Sequence, residues 1–235
     1  MTLHGLILAG GTGSRFAADG ETTPKALMPI GSQPQLLRLA DTLTRLGCDS
    51  VSAMVRAEVL EQLGPAPQGL SAHACRTPSS LHTLVEGLAH VPPGPVFCTL
   101  VDTIMPSGDW RRAFAAAQDE VATGAADAML VVTPFADDDE RPLYASVDET
   151  GRVTAVGEVP GARRLVTGGV YAFAARTRAM ASAALHAGAD RLRAFLAALP
   201  AHGARVIAVE VARVVDLDRR RDLAAAEAVV EADRG

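Results

Sequence analysis

An α/β fold with a mostly parallel central sheet is what this sequence predicts, and three observations carry the prediction. Short apolar runs alternate with amphipathic stretches through the first half of the chain, the pattern of strands joined by crossover helices. Several of these runs stop abruptly at glycine or aspartate, as strands do when they open into a loop. After about residue 140 apolar runs follow one another with little helix between them, so the sheet gains an antiparallel part and becomes mixed. A length of 235 residues fits one large domain or two small ones and allows a substantial core. We expect a single domain over 1–235, with one half to about 135 and another from about 136 onward.

The elements follow in order. Leu6 to Ala9 is a short apolar run ending in glycines, a buried strand entering a turn. Leu36, Leu39, Ala40, Leu43 and Leu46 fall at helical spacing, with Pro34 before them and Gly47 after. Val51 to Val55 reads as a strand, Ala57 to Leu63 as a short helix, Leu70 to Cys75 as a weaker strand and Ser80 to His90 as a helix. Val96 to Val101 is strongly strand-like and is stopped by Asp102. A helix from Asp109 to about Ala122 precedes a strand from Ala128 to Thr133. Leu143 to Val147, Val153 to Gly157 and Gly168 to Phe173 are strands, the first two joined by a hairpin turn at Asp148-Glu149-Thr150-Gly151. Helices over Thr177–His186 and Asp190–Leu199, a strand over Arg205–Glu210 and a last helix over Arg220–Ala232 complete the chain. Pro65-Ala66-Pro67 and Val91 to Pro95 are loops, and the acidic stretch Asp137 to Glu140 reads as a solvated one.

Composition excludes several classes. Twenty-two basic residues against 27 acidic ones leave a net charge of −5, the wrong sign for a nucleic-acid surface. No segment is long and apolar enough to span a membrane, and the first residues lack the basic and apolar regions of a signal peptide. A cytoplasmic protein is the expectation. Cys48, Cys75 and Cys98 lack metal-ligand spacing and lie in or beside apolar segments, so buried free thiols are expected. The six histidines are scattered without ligand spacing, and only His82 lies near a segment of interest.

The basic residues are all arginine except one. Lys25 stands in Thr22-Thr23-Pro24-Lys25-Ala26-Leu27, soon after the turn Gly10-Gly11-Thr12-Gly13-Ser14-Arg15-Phe16. A compact ammonium on a flexible stem is hard to exchange for a planar fork, which makes Lys25 a candidate to touch substrate. Glycines at a strand's carboxyl end let backbone N–H groups approach a phosphate. Neither familiar glycine motif fits: a dinucleotide fingerprint needs glycine where Phe16 stands, and no lysine follows at the spacing of an ATPase phosphate loop. A tight turn without a ligand is the alternative for the glycines alone.

Taken together, Leu8-Ala9-Gly10-Gly11-Thr12-Gly13-Ser14-Arg15-Phe16 and Pro24-Lys25-Ala26-Leu27 resemble the opening signature of the nucleotidyltransferases that activate phosphosugars and related phosphorylated alcohols. That family includes glucose-1-phosphate thymidylyltransferases, mannose-1-phosphate guanylyltransferases and phosphocholine cytidylyltransferases. The resemblance implies a Rossmann-like three-layer fold, with the first half binding nucleotide and the second half binding the acceptor. It places nucleotide contacts at Leu8, Ala9, Gly10, Gly11, Thr12, Gly13 and Ser14, and catalytic roles on Arg15 and Lys25. Asp102, closing Thr99-Leu100-Val101-Asp102, matches the family's metal-binding aspartate, and Asp216 of Val215-Asp216-Leu217-Asp218 matches the second. Asp218 is the runner-up there, expected instead to cap the final helix. Thr77-Pro78-Ser79-Ser80-Leu81 is a looser match to a base-contacting segment and brings in Ser79 and Ser80. Glu158-Val159-Pro160 and Thr167-Gly168-Gly169-Val170-Tyr171 match segments beside the acceptor, with Glu158, Gly168 and Gly169 as its contacts. Val159 stands where the family has lysine, and Arg163 or Arg164 is the expected substitute for the charge.

The implied reaction is magnesium-dependent transfer of a nucleoside monophosphate from a triphosphate to a phosphorylated sugar or alcohol, with release of pyrophosphate. A phosphate monoester with a second pKa of about 6 is already a dianion at neutral pH, so charge neutralisation and alignment dominate the barrier. Molybdopterin-type and isoprenoid-type nucleotidyltransferases share this logic with other acceptors. A non-catalytic nucleotide sensor is a rival from another class, against which the retained Lys25, Asp102 and Asp216 count. A nicotinamide-dependent dehydrogenase is a more distant rival.

Overall fold

The computed structural model describes residues 2–135 and 142–233. Strand β1 (His4–Ala9) leads through α1 (Ser14–Ala18) and a 3-10 turn (Lys25–Leu27) to two short strands, β2 (Pro29–Ile30) and β3 (Gln33–Pro34). Next come α2 (Gln35–Leu46), β4 (Val51–Val55), α3 (Ala57–Leu63), β5 (Leu70–Ala74), α4 (Ser80–His90) and β6 (Val96–Leu100). After the short β7 (Thr103–Ile104), α5 (Ser107–Ala116) runs on as a π-helical turn (Ala117–Ala122) into β8 (Ala128–Pro134). The second half holds β9 (Tyr144–Val147), β10 (Val153–Gly157), β11 (Leu165–Phe173), α6 (Ala175–His186), α7 (Leu192–Ala201), β12 (Val206–Glu210), β13 (Val215–Asp216) and α8 (Asp222–Ala232). The acidic stretch Asp137 to Glu140 lies outside the described residues.

Nine of these strands form one sheet, and β5, β4, β1 and β6 run parallel within it. Strand β11 then lies antiparallel to β6 and β8, and β12 adds to β8 in parallel. The β9–β10 hairpin joins the first residues of β11, so the sheet is mixed as the sequence predicts. Its turn is held as expected: Gly151 N donates to Asp148 O at 3.1 Å, and Asp148 Oδ1 accepts from Thr150 and Arg152.

The strands are apolar on both faces because helices cover both. Ile7 and Ala9 face a core completed by Leu36, Leu39 and Leu43 of α2 and Trp110 and Phe114 of α5. Leu6 and Leu8 face the other side, against Leu81, Leu84 and Leu88 of α4 and Phe195 and Leu199 of α7. Period-2 alternation along β1 thus divides the molecule into three layers, α/β/α. Leu36, Leu39 and Leu43 have no exposed surface, and truncating any of them costs about 2–5 kcal/mol.

A third, smaller core decides where the site lies. Phe16 of α1, Ile30 of β2, Ile104 of β7, Val215, Leu217 and Ala226 of α8 pack together. It forms where β7 and β13 pair antiparallel, Ile104 against Val215 and Thr103 against Asp216. Those two-residue strands are absent from the sequence expectations, since two residues carry no readable period. The expected Asp109 start lies inside α5, and the expected strand Gly168–Phe173 begins earlier, at Leu165. Cys75 and Cys98 are buried free thiols as expected, while Cys48 is free but only half-buried; partial burial still pushes the Cys48 thiol up to about 12, and burial pushes the Cys98 thiol upward as well.

Candidate active site

Parallel strands put their carboxyl ends on one edge, and ligands of open α/β sheets bind there. The segments after β1, β4, β5 and β6 line a cavity of about 620 Å³ that includes Leu8 to Gly13, Arg56, Thr77 to Ser80, Lys25 and Asp102. A β-carbon at Gly10 would stand 2.9 Å from Cys75 Sγ and 3.1 Å from Thr83 Oγ1, so only glycine lets the turn lie this close to α4. At Gly11 and Gly13 a β-carbon would meet no protein atom within 4 Å; both face open cavity. Ser14 opens α1 but, with Arg15, is absent from this cavity's wall.

A second cavity of about 720 Å³ lies on the other side of Asp102, lined in part by Thr133 to Phe135, Gly168, Gly169, Val214, Asp216 and Asp218. Ser80, Leu100 and Asp102 line both cavities. Asp102 therefore stands at the junction of two spaces, each large enough for a small-molecule ligand.

The chemistry converges at that junction. Lys25 Nζ donates to Asp102 Oδ2 at 3.2 Å and to Asp218 Oδ1 at 2.6 Å, and Arg15 pairs with Asp218 through the other oxygen. The Lys25 side chain is only 14% exposed, with its ammonium 5.7 Å from the centre of the Phe16 ring. Burial works to lower the Lys25 pKa, but the carboxylates of Asp102, Asp218 and Asp216 outweigh it and hold the ammonium above its usual value. Burial likewise disfavours the Asp218 carboxylate, and Lys25 and Arg15 overcome it, so Asp218 titrates below the ordinary range.

Local sequence explains this convergence. In Val215-Asp216-Leu217-Asp218, Val215 and Leu217 are buried in the third core while Asp216 is exposed and Asp218 half-buried. Alternation thus sends both carboxylates to one side. Leu217 N donates to Asp102 O at 2.9 Å, which fixes the segment against Asp102. Asp218 was expected to cap the last helix; α8 has no side-chain cap, and Asp222 accepts from Asp218 N and Arg219 N instead. With its backbone held by Asp222, the Asp218 carboxylate is free to meet the lysine. Asp218, the runner-up to Asp216 in the sequence reading, therefore joins the candidate site through Lys25 and Arg15, and the period-2 pattern of this segment marks it.

Oxygen atoms of Asp102, Asp216 and Asp218 come within 4.8 Å of one another. Asp102 Oδ1 is buried and has no hydrogen-bond partner among the described residues, a state that costs free energy unless a cation or water completes it. Three carboxylates with one orphaned oxygen form a hard donor set that suits magnesium.

Gln35, fully buried at the start of α2, is the other residue the sequence did not reveal. Its Nε2 donates to Val101 O at 3.0 Å and Thr103 O at 3.1 Å, holding the backbone on both sides of Asp102. Gly169 is fixed for a related reason: its φ is +72°, and a β-carbon there would collide with Thr103 Oγ1.

The model of the MobA-like NTP transferase domain matches residues 5–214. The chain belongs to that family. It is a nucleotidyltransferase with a Rossmann-like fold. No curated protein sequence matches it. Among solved structures, this NTP transferase is similar to the inositol-1-phosphate CTP transferase from T. maritima, with a TM-score of 0.79 and 17% identity over 100% of this chain and 97% of the other. It is also similar to a UDP-glucose pyrophosphorylase solved with UDP-glucose, with a TM-score of 0.80 and 15% identity over 100% of both chains. No helix among the described residues is long and apolar enough to cross a membrane.

The remaining expected site residues of this transferase separate into two groups. Gly168 and Gly169 line the second cavity, and Ser79 and Ser80 line the first. The serine hydroxyls are engaged: Ser79 with Asp190 O and His82, and Ser80 with Leu192 N at 3.1 Å, tying α4 to the start of α7. Glu158 lines neither cavity; its side chain is 85% exposed and meets Arg193 at 3.6 Å. Arg163 and Arg164, the expected substitutes for the family's lysine, also lie outside both cavity walls. Arg163 pairs with Glu210, and Arg164 lies over the Phe135 ring. The arginines on the second cavity's wall are Arg15, Arg191, Arg193, Arg213, Arg219 and Arg221.

Proposed function

We propose that the chain transfers a nucleoside monophosphate from a nucleoside triphosphate to a phosphorylated sugar or related phosphorylated alcohol, with magnesium as cofactor. The observation that supports it best is Lys25 held between Asp102 and Asp218, where two cavities meet. One cavity would take the triphosphate, the other the acceptor. The nucleotide side belongs mainly to residues up to about 135 and the acceptor side to those from about 136, in a single cytoplasmic unit.

The residues divide the work as follows. Backbone N–H groups of the Gly10–Gly13 turn cradle the triphosphate, and Leu8, Ala9, Ser79 and Ser80 bound its site. Arg15 and Lys25 exchange Asp218 for phosphate oxygens: Arg15 on the departing β- and γ-phosphates, Lys25 near the α-phosphate and the incoming oxygen. Asp102, Asp216 and Asp218 would hold the cation, which when bound neutralises phosphate charge as a Lewis acid. The acceptor arrives as a phosphate dianion and needs no base. Its oxygen bonds to the α-phosphorus; the bond to the α,β-bridging oxygen breaks, and pyrophosphate leaves with that electron pair. Gly168 and Gly169 border the acceptor directly, and Glu158 acts on it through Arg193.

A panel of nucleoside triphosphates against phosphorylated sugars and alcohols, read by pyrophosphate release with magnesium, tests this function. Release that needs both substrates and stops on chelation supports it. Triphosphate binding without release from any pair would make the chain a non-catalytic nucleotide binder.

A further inference from the structure

Charge is distributed unevenly over the acceptor cavity. Its four carboxylates, Asp102, Asp216, Asp218 and Asp222, come from the two segments that meet at the catalytic junction. Arg15, Arg219 and Arg221 already have carboxylate partners near that end: Asp218, Asp19 at 3.5 Å and Asp222 at 3.7 Å. Arg191 and Arg213 remain, and among the described residues neither pairs with a carboxylate of the cavity wall. The carboxylate nearest Arg191 is Asp190 at 4.0 Å, and Arg193 meets Glu158; neither Asp190 nor Glu158 lines the cavity. Arg213, on the loop between β12 and β13, makes no hydrogen bond or ion pair among the described residues.

The rest of the wall is poorly suited to a neutral polyol. Sugar hydroxyls need acceptors as well as donors, chiefly carboxylates, which accept, and amides, which do both. Among the described residues the wall has no glutamate or glutamine; outside the aspartates its side-chain oxygens belong to Ser80, Thr103, Thr133, Thr167 and Tyr171. Thr103 and Tyr171 are buried, and the Ser80 hydroxyl accepts from Leu192 N. Arginine forks, by contrast, match a carboxylate or phosphate in two-point contact. Arg191 is also the N-cap residue of the ten-residue α7, whose start carries no side-chain cap from its own N-cap residue and favours an anion.

We propose that the acceptor carries a second acidic group, a carboxylate or a phosphate, besides the phosphate that attacks, and that Arg191, Arg193 and Arg213 select it. This rests on the nucleotidyltransferase reading above and narrows its acceptor to a doubly anionic class. Lys25 and the cation site serve the attacking phosphate; the three arginines serve the far end of the same molecule.

Matched acceptors test the proposal. Glucose 1-phosphate is compared with glucose 1,6-bisphosphate and glucuronic acid 1-phosphate, and glycerol 3-phosphate with 3-phosphoglycerate. Turnover is read by pyrophosphate release across a set of triphosphates, and acceptor binding by titration calorimetry in the presence of triphosphate. In at least one matched set the doubly anionic member should be favoured about tenfold or more, the scale of one charge-assisted contact. Whether the carboxylate or the phosphate member is favoured identifies the second group. Arg213→Ala and Arg193→Ala should each shrink that preference, mainly through KM and binding, with the singly anionic member less affected. Equal use and equal binding of all members, with ratios unchanged in both variants, overturns the proposal and leaves nucleotidyl transfer intact. Selective binding without turnover of any member overturns the transfer reading and leaves the anion selection standing.

Discussion

Replacing Gln35 by leucine removes a side-chain amide that touches no substrate and yet should disturb both stability and the cation site. The amide lies in a fully buried position and makes three hydrogen bonds: to Val101 O, to Thr103 O and from Arg38 Nε at 2.8 Å. The Arg38 contact occupies Oε1 and so directs Nε2 toward the two carbonyls. Leucine keeps the approximate volume but leaves those carbonyls without this donor. A hydrogen bond contributes about 1 kcal/mol net, and a buried group left unsatisfied costs about 1–3 kcal/mol. Two such losses, offset in part by a better-buried apolar side chain, give about 2–4 kcal/mol. For a chain of this size that lowers Tm by about 4–15 °C.

The second consequence is functional. The two carbonyls flank Asp102, so their release loosens the carboxylate with the orphaned Oδ1. Loss of a group that orients a metal ligand typically weakens metal binding about 10- to 100-fold. Thermal unfolding and a magnesium or manganese titration of Gln35→Leu measure both effects. Gln35→Glu is the harsher control, since a carboxylate facing two carbonyls repels them and donates nothing. A Tm within about 1 °C of the parent protein together with an unchanged metal titration refutes the reasoning.

Three further perturbations test other parts of the site and scaffold. Lys25→Ala should lower pyrophosphate release by about two to three decades, the usual loss for one preorganised charge contact, and Lys25→Arg should not restore it, because a planar fork does not fit the enclosed position between Asp102 and Asp218; normal turnover in either variant removes Lys25 from the chemistry. Gly169→Ala should destabilise the protein by about 1–3 kcal/mol, since alanine at φ +72° is strained and its β-carbon meets Thr103, and unfolding in denaturant reads the loss. Asp127 takes a hydrogen bond from the Arg176 side chain and another from Arg205 N, which together hold its pKa below the ordinary 3.8; its contribution is therefore present above 3.8 and is lost as pH falls through the lowered folded value, so Asp127→Asn should flatten the acid limb of a stability-against-pH profile and leave the curve near neutral pH unchanged in shape.

What was legible in the sequence follows from the range of the forces involved. The long elements announced themselves because periodicity is a local record of burial: α2 appears as Leu36, Leu39, Leu43 with Gly47 closing it, and every one of those leucines is buried against β1 and its neighbours. Glycines could be read where the backbone itself has to pass closely, as at Gly10. The unread features are all closures between distant segments. Strands β7 and β13 have two residues each and exist only because Ile104 and Val215 share a small apolar cluster more than a hundred positions apart in sequence. Gln35 gave no signal, because a glutamine ahead of a helix looks like solvent-facing polarity until its partners at Val101 and Thr103 are known.

Asp218 is the instructive intermediate case. A carboxylate four residues before Asp222 at the start of a helix satisfies the local rules for a cap, and those rules favour the cheaper explanation. Yet Val215 and Leu217 are apolar on either side of Asp216, and an apolar residue at every second position commits the polar ones to the opposite face. Applied to that four-residue stretch, alternation requires Asp216 and Asp218 to point the same way, toward whatever holds Asp102 from across the β7–β13 pair. Two carboxylates on one face, with a third brought up against them, need a cation or an ammonium between them. The only lysine in the chain, buried behind Phe16 and reaching two of the three, is the side chain that meets that requirement before any substrate or metal arrives.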